Sequence, residues 1–229
     1  MNRIYFLLNN LAEFDFQALL EKYLPKATID IGTTMPVDPA DYRLVVLWNV
    51  RSIVKDLPRD NNVILFHGSD LPEGRGWAPI YYAFAEQKNR YVLSGVFAAS
   101  KVDTGDVIVK ASFPIPANAT ASDLRRFDTE LSILLVARIL ERFTSRRIVG
   151  KAQQGEGTSR KRRTPEDNRI DVNVTFQLLI PHLRGCEPGW PAFFEFEGVR
   201  YTIQIQALHP PAFPSDIDIV FGEDMTTAA

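Results

Sequence analysis

Cysteine is almost missing from this chain: 229 residues hold one, Cys186. It can close no internal disulfide and build no thiolate zinc site, which fits a reducing, cytoplasmic setting. Long apolar runs are missing too. No stretch approaches the roughly 18 residues of a membrane span, and the first strand-like segment, Arg3 to Leu8, lacks the apolar region and cleavage site of a signal peptide. Net charge is nearly nil, with 26 Lys and Arg against 28 Asp and Glu. No global field therefore draws the chain to nucleic acid or to an anionic membrane, although a local patch stays open. The three histidines are scattered at positions 67, 182 and 209, and neither a helical His-Glu-x-x-His nor a P-loop occurs. After Leu8 the chain reads Asn-Asn-Leu-Ala in place of a glycine-rich dinucleotide turn, and no Gly-x-Ser-x-Gly elbow is present. These absences set aside a secreted mini-protein, a membrane span and a His-rich metal site.

What is present suits a soluble protein with a sizeable core: 45% hydrophobic and 24% charged residues. Residues 4–8, 27–31, 44–48 and 63–66 form short, mainly apolar runs rather than alternating ones, as in strands covered on both faces. Helical spacing of Phe16, Leu19, Leu20, Tyr23 and Leu24 predicts a helix over 13–24. The expected fold is α/β, a mostly parallel sheet flanked by helices. Residues 91–98 and 106–113 predict two more strands, ended by Pro114 and Pro116. A helix is expected over 120–147, with Thr120 as cap and Leu124, Phe127, Leu131, Leu135, Ile139 and Phe143 recurring every three or four residues.

The α/β domain is thus expected to occupy 1–150. The Gly-, Gln-, Ser- and Arg-rich stretch 151–165 reads as a linker or exposed loop, and 166–229 as a small β-rich subdomain. That tail holds a short helix near 174–183, two strands joined through Glu197-Gly198, and a strand over 217–221. The run Arg160 to Arg163 reads as a solvated loop, with contact to phosphates as the alternative.

One segment stands out: Phe66-His67-Gly68-Ser69-Asp70-Leu71-Pro72-Glu73-Gly74-Arg75-Gly76-Trp77-Ala78-Pro79. It follows an apolar run directly, which puts His67 at a strand's carboxyl end, where open α/β sheets seat their ligands. A second polar cluster, Val102-Asp103-Thr104-Gly105-Asp106, falls 36 positions beyond His67 at a turn between two strands. On the residues alone, two readings stand side by side. His67 and Asp103 can form an acid–base pair, or His67 is a framework residue beside an ordinary Asp-x-Gly turn.

The segment from His67 to Pro79 resembles the His-x-Ser-x-Leu-Pro-x-x-Arg-Gly-x-x-Pro signature of the folate-dependent formyltransferase family. The Asp103-Thr104-Gly105 turn and the strand after it resemble the family's second signature, in the same order and at a matching separation. Arg162-Arg163-Thr164-Pro165-Glu166-Asp167, Gly189-Trp190-Pro191-Ala192 and Phe194-Glu195-Phe196 resemble the C-terminal extension of its tRNA and sugar members. The resemblance spans roughly 44–205 and implies formyl transfer from 10-formyltetrahydrofolate, as co-substrate, to a primary amine.

It further implies His67 and Asp103 as catalytic residues, and Trp48, Asn49, Phe97, Val102 and Asp103 around the pterin. Ser69, Arg75, Gly76 and Trp77 would shape the mouth for the acceptor. The expected acceptor is a nucleotide-linked amino sugar of surface-glycan synthesis. A tRNA substrate is disfavoured by the charge balance, no metal is expected, and a homodimer is left open. One departure is plain. The family pattern reads Asn-x-His, and here Leu65 stands at the Asn position, with Asn49, Asn61 and Asn62 nearby but outside the motif.

Overall fold

In the computed structural model, which describes residues 2–50, 57 and 62–225, the apolar runs become the middle of a seven-stranded sheet. The chain opens with β1 (Arg3–Leu8), α1 (Gln17–Tyr23), β2 (Thr28–Gly32), β3 (Leu44–Trp48) and β4 (Val63–His67). A two-residue β5 (Arg75–Gly76), α2 (Pro79–Ala85), β6 (Arg90–Phe97), β7 (Val107–Pro114) and α3 (Ala121–Arg142) follow. The last third holds β8 (Ser159–Arg160), α4 (Phe176–Gly185), β9 (Ala192–Phe196), β10 (Val199–Ile203) and β11 (Asp218–Phe221).

The sheet order is β11-β7-β6-β4-β3-β1-β2. Strands β2, β1, β3 and β4 pair in parallel, while β6, β7 and β11 are added antiparallel to their neighbours. Because β7 reverses β6, five of the seven strands run the same way, and the expected mostly parallel sheet is what forms. Strand alternation splits the side chains between two faces. Ile4, Phe6, Leu8, Leu44, Val46, Trp48 and Ile64 join the large core under α1, α2 and α3, whereas Tyr5, Leu7, Val45, Leu47 and Val63 form a smaller cluster on the other face. Burial on both faces is why these strands are apolar throughout.

Helix α3 contributes more to the main core than any other element. Leu124, Phe127, Leu131, Leu135 and Ile139 are fully buried, and a capping box closes its start: the Thr120 N–H and hydroxyl both donate to Asp123 Oδ2, at 2.9 and 2.8 Å. The helix ends at Arg142, five residues before the expected 147. There Thr144 Oγ1 turns back onto the carbonyls of Leu140 and Glu141, and Arg142 and Arg146 both reach Glu223.

The C-terminal third departs from the sequence reading in two places. Strand β11, expected within the β-rich tail, is the edge strand of the main sheet, paired with β7. The stretch expected as a linker or exposed loop is stitched to the α/β body: Lys151 and Val107 exchange two backbone bonds of 2.8 Å, and β8 pairs with β5. Backbone groups in this polar stretch find partners on neighbouring strands, which its side-chain composition does not reveal. The hairpin β9–β10 forms as expected, around Glu197 and Gly198 at φ of 49° and 77°, the left-handed pair that a tight hairpin turn requires.

Candidate active site

His67 ends β4 at the carboxyl edge of the sheet and is 7% exposed. Its Nδ1 faces Asp103 Oδ2 at 3.5 Å, and its Nε2 lies 2.8 Å from the carbonyl oxygen of Gly74. Both partners are acceptors. A neutral imidazole has one N–H and satisfies only one of them; the doubly protonated ring satisfies both. The histidine–carboxylate pair expected from sequence is therefore assembled.

Asp103 reaches this position through a left-handed backbone, φ 53°, a region that aspartate and asparagine tolerate better than other non-glycine residues. Its Oδ2 also accepts the Gly76 N–H at 2.8 Å. Gly105 completes the turn, since a Cβ there would lie 1.7 Å from the Phe97 carbonyl oxygen. Gly76, at φ 97°, passes so close to Arg160 that a Cβ would stand 2.7 Å from its carbonyl oxygen.

The loop between β4 and α2 is held internally. Ser69 Oγ donates to the Glu73 carbonyl at 2.7 Å, the Gly74 N–H donates to Thr158 Oγ1 at 2.8 Å, and buried Ser94 donates to the Ser69 carbonyl at 2.7 Å. Lys110 bonds Asp70 and the Leu71 carbonyl from below. Behind the loop, buried Tyr91 donates to Asp128 Oδ2 at 2.6 Å, and its hydroxyl lies where a Cβ on Gly68 would be, 2.0 Å away. Burial pushes the Tyr91 hydroxyl well above its ordinary range and raises the Asp128 carboxyl, against the opposing pull of Arg125.

The other sequence-predicted site residues divide. Arg75 is in the site, but its Nε and Nη2 both donate to Gln153 Oε1, at 3.2 and 2.6 Å. Trp77 is 38% exposed at the rim, with the Arg162 guanidinium 4.9 Å over its ring. Val102 is exposed beside Asp103, and Asn49 is exposed at the end of β3, its carbonyl accepting Asn9 Nδ2 at 2.5 Å. Trp48 and Phe97 are not brought to the site by their rings: Trp48 packs 4.5 Å from Phe16, and both side chains belong to the main core.

Leu65 shares a face with His67 and packs with the clusters of Leu47, Val63, Leu71, Val96 and Val107, so it offers no donor. Asn62 cannot replace the motif amide, because its Nδ2 is spent on the Pro39 and Tyr42 carbonyls at the other end of β4. Asn61 lies outside the described residues. Of Arg160 to Arg163, Arg160 pairs with Glu86 and Arg163 bonds Asn168. Sequence reasoning missed Gln153 and Thr158, both in the stretch read as a linker, where polar composition carried no signal of a site. Among the described residues no group of three or more His, Cys, Asp and Glu is placed to hold a metal, and no helix is long and apolar enough to cross a membrane.

The structure is of the open α/β class, with a histidine–aspartate pair at the carboxyl edge of its sheet, the edge at which such sheets seat their ligands. The chain is 30% identical over 218 residues to the methionyl-tRNA formyltransferase of Koribacter versatilis, covering 94% of this chain and 65% of that protein. It is 31% identical over 151 residues to that of Streptococcus gordonii, covering 65% and 48%. The chain thus spans about two thirds of the first relative's length and about half of the second's. No protein-family model matches it. Among solved structures it superposes on a 4-N formyltransferase from Francisella tularensis with a TM-score of 0.71 at 14% identity, covering 91% of this chain and 98% of the other. Against HypX from Aquifex aeolicus the TM-score is 0.72 at 17% identity, covering 89% and 39%; at these identities the likeness is one of fold. The chain is thus similar in sequence to methionyl-tRNA formyltransferases over much of its own length, and it shares its fold with solved formyltransferases.

Proposed function

We propose that this protein transfers a formyl group from 10-formyltetrahydrofolate, its co-substrate, to the primary amine of an amino sugar carried by a nucleotide, in the cytoplasmic stage of surface-glycan synthesis. The observation that carries the reading is the His67–Asp103 pair, 3.5 Å apart at the carboxyl edge of the sheet within the family's two motifs. Solved sugar N-formyltransferases share the fold over nearly their whole length, and HypX has been solved with tetrahydrofolic acid. Strand order reverses between β1 and β3, which supports a donor seat beside Asn49, Val102 and the main chain of Trp48 and Phe97. Ser69, Arg75, Gly76 and Trp77 border the acceptor side.

In this mechanism the acceptor amine attacks the formyl carbon, a C–N bond forms, and the carbonyl oxygen becomes an oxyanion. The Nε2–H of His67 exchanges the Gly74 carbonyl for that oxygen, while Asp103 holds the ring and supports its charge. Collapse breaks the bond to the folate nitrogen, which takes up a proton equivalent to the one the amine loses.

A second reading, a methionyl-tRNA acceptor, is favoured by the curated relatives. The purified chain is given 10-formyltetrahydrofolate with either a nucleotide-linked amino sugar or charged initiator tRNA. A mass gain of one formyl group on the sugar, lost in His67→Ala, supports the first reading; formylation of the tRNA alone replaces it with the second. Folate binding without transfer to either acceptor would make the chain a repurposed binding protein and refute both.

A further inference from the structure

We infer that Gln153 is a positioning residue of this site: its amide bridges the two loops that bring Asp103 to His67. Nε2 donates to the carbonyls of Asp103 and Gly105, at 2.7 and 2.9 Å. Oε1 accepts from Arg75 Nε and Nη2, at 3.2 and 2.6 Å. The orientation of the amide is forced, because arginine has no acceptor and the two carbonyls have no donor. Every strong hydrogen-bonding direction of the group is therefore used on two loops that are otherwise joined, among the described residues, by the bond from the Gly76 N–H to Asp103 Oδ2.

The placement follows from the backbone. Lys151 pairs with Val107, immediately after the Asp103 turn, and carries Gln153 over it. Ser159 and Arg160 pair with Arg75 and Gly76 on the other side, so 151–160 spans both loops. The turn being held is one that does not hold itself, since Asp103 adopts φ 53°, a left-handed conformation that costs a non-glycine residue roughly 1–2 kcal/mol. Two bonds, to that residue's own carbonyl and to the Gly105 carbonyl, fix the turn, and with it the direction of the carboxylate. Gln153 touches neither His67 nor the expected reacting atoms, so it acts through Asp103.

The inference rests on the formyl-transfer reading for its kinetic arm and on the geometry alone for its spectroscopic arm. Gln153→Glu keeps size and the Arg75 contact but turns acceptors toward two carbonyls; Gln153→Met keeps size and removes all the bonds. Both are compared with Gln154→Ala, an exposed neighbour. In the kinetic arm kcat for formyl transfer falls roughly 10- to 100-fold in both Gln153 variants, as loss of precise placement predicts, while KM for the reduced folate stays within about twofold and Gln154→Ala matches wild type. In the spectroscopic arm the His67 ring nitrogen signals, assigned by their loss in His67→Gln, move in both variants toward their positions in Asp103→Asn. Wild-type kcat with unmoved His67 signals in either folded variant overturns the inference. If the wild type transfers no formyl group, the proposed function falls, and the His67 signals alone decide whether Gln153 positions the pair.

Discussion

Asp103 does two separable things, and a pair of substitutions pulls them apart. Its carboxylate faces His67 Nδ1 at 3.5 Å and accepts the Gly76 N–H at 2.8 Å, from a backbone at φ 53°. Asp103→Ala loses the charge-assisted bond, worth about 1.5 kcal/mol or more, and sets alanine in a left-handed conformation at about 1 kcal/mol. The sum is about 2.5 kcal/mol, or roughly 5–10 °C in Tm for a chain of this size. Asp103→Asn keeps an oxygen for Gly76 and a residue that tolerates the left-handed region, so its Tm should fall by only about 2 °C. Activity should not follow stability. Both variants lose the carboxylate charge that faces His67 Nδ1, and under the proposed mechanism an isosteric amide at that position costs on the order of 10²- to 10⁴-fold in kcat. Thermal unfolding and initial rates of formyl transfer on the same preparations test this. The reasoning is refuted if Asp103→Asn retains activity within threefold of wild type, or if it is as destabilised as Asp103→Ala.

Three further outcomes are expected. Gly105→Ala forces a Cβ to 1.7 Å from the Phe97 carbonyl, so the turn must move, at about 3 kcal/mol; a Tm within 2 °C of wild type in differential scanning calorimetry would contradict the close approach. Asp128, whose carboxyl burial raises, is stabilising in its protonated form: its contribution is fully present below the unfolded-state value and is lost as pH rises through the folded-state value. Asp128→Asn, which can still accept from Tyr91, should therefore be at least as stable as wild type at pH 7, with its advantage shrinking toward pH 4 in a Tm-against-pH series. Leu65→Asn restores a side-chain donor on the His67 face; kcat should rise about tenfold or more, while the lost apolar packing lowers stability by about 1–2 kcal/mol. Steady-state rates and urea midpoints on one preparation read both effects.

Strands β1, β3 and β4 were legible because a sheet buried on both faces writes itself as uninterrupted apolar runs, and His67 followed at once as the residue where such a run meets a polar loop. Helix α2 was not legible. It is seven residues long, begins after Ala78 at φ 55° with no side-chain cap, and starts at the last residue of a loop motif, so neither a capping signal nor a full hydrophobic period marks it. Strand β11 was visible as a strand but not as a neighbour of β7, because an apolar run does not name its partner. Trp48 and Phe97 show the same limit from the other side: the residue type suits a stacking platform or a core equally, and packing against Phe16 and the rest of the core decided between them. Gln153 was out of reach altogether, since its importance lies in four bonds to three residues distant in sequence and in nothing about its local neighbours.

The missing motif amide and the closed geometry around His67 bear on one another. An oxyanion donor is typically worth 10² to 10³ in rate, about 2.7–4 kcal/mol, and Leu65 packs its position with apolar side chains instead. The proposed transition state must then lean on the one ring N–H of His67 that does not face Asp103, and that N–H is held by the Gly74 carbonyl at 2.8 Å. Gly74 is itself tied to Thr158 through its N–H, and Thr158 lies in the same segment that carries Gln153. One stretch, 151–160, therefore fixes both sides of the imidazole: through Gln153 the carboxylate at Nδ1, and through Thr158 the carbonyl at Nε2. A chain of this fold without the motif amide can still place a directed donor at the formyl oxygen of the proposed reaction if this segment keeps the ring from turning. That makes a polar segment without sequence signals, rather than the two motifs alone, the part of the chain on which the proposed chemistry depends.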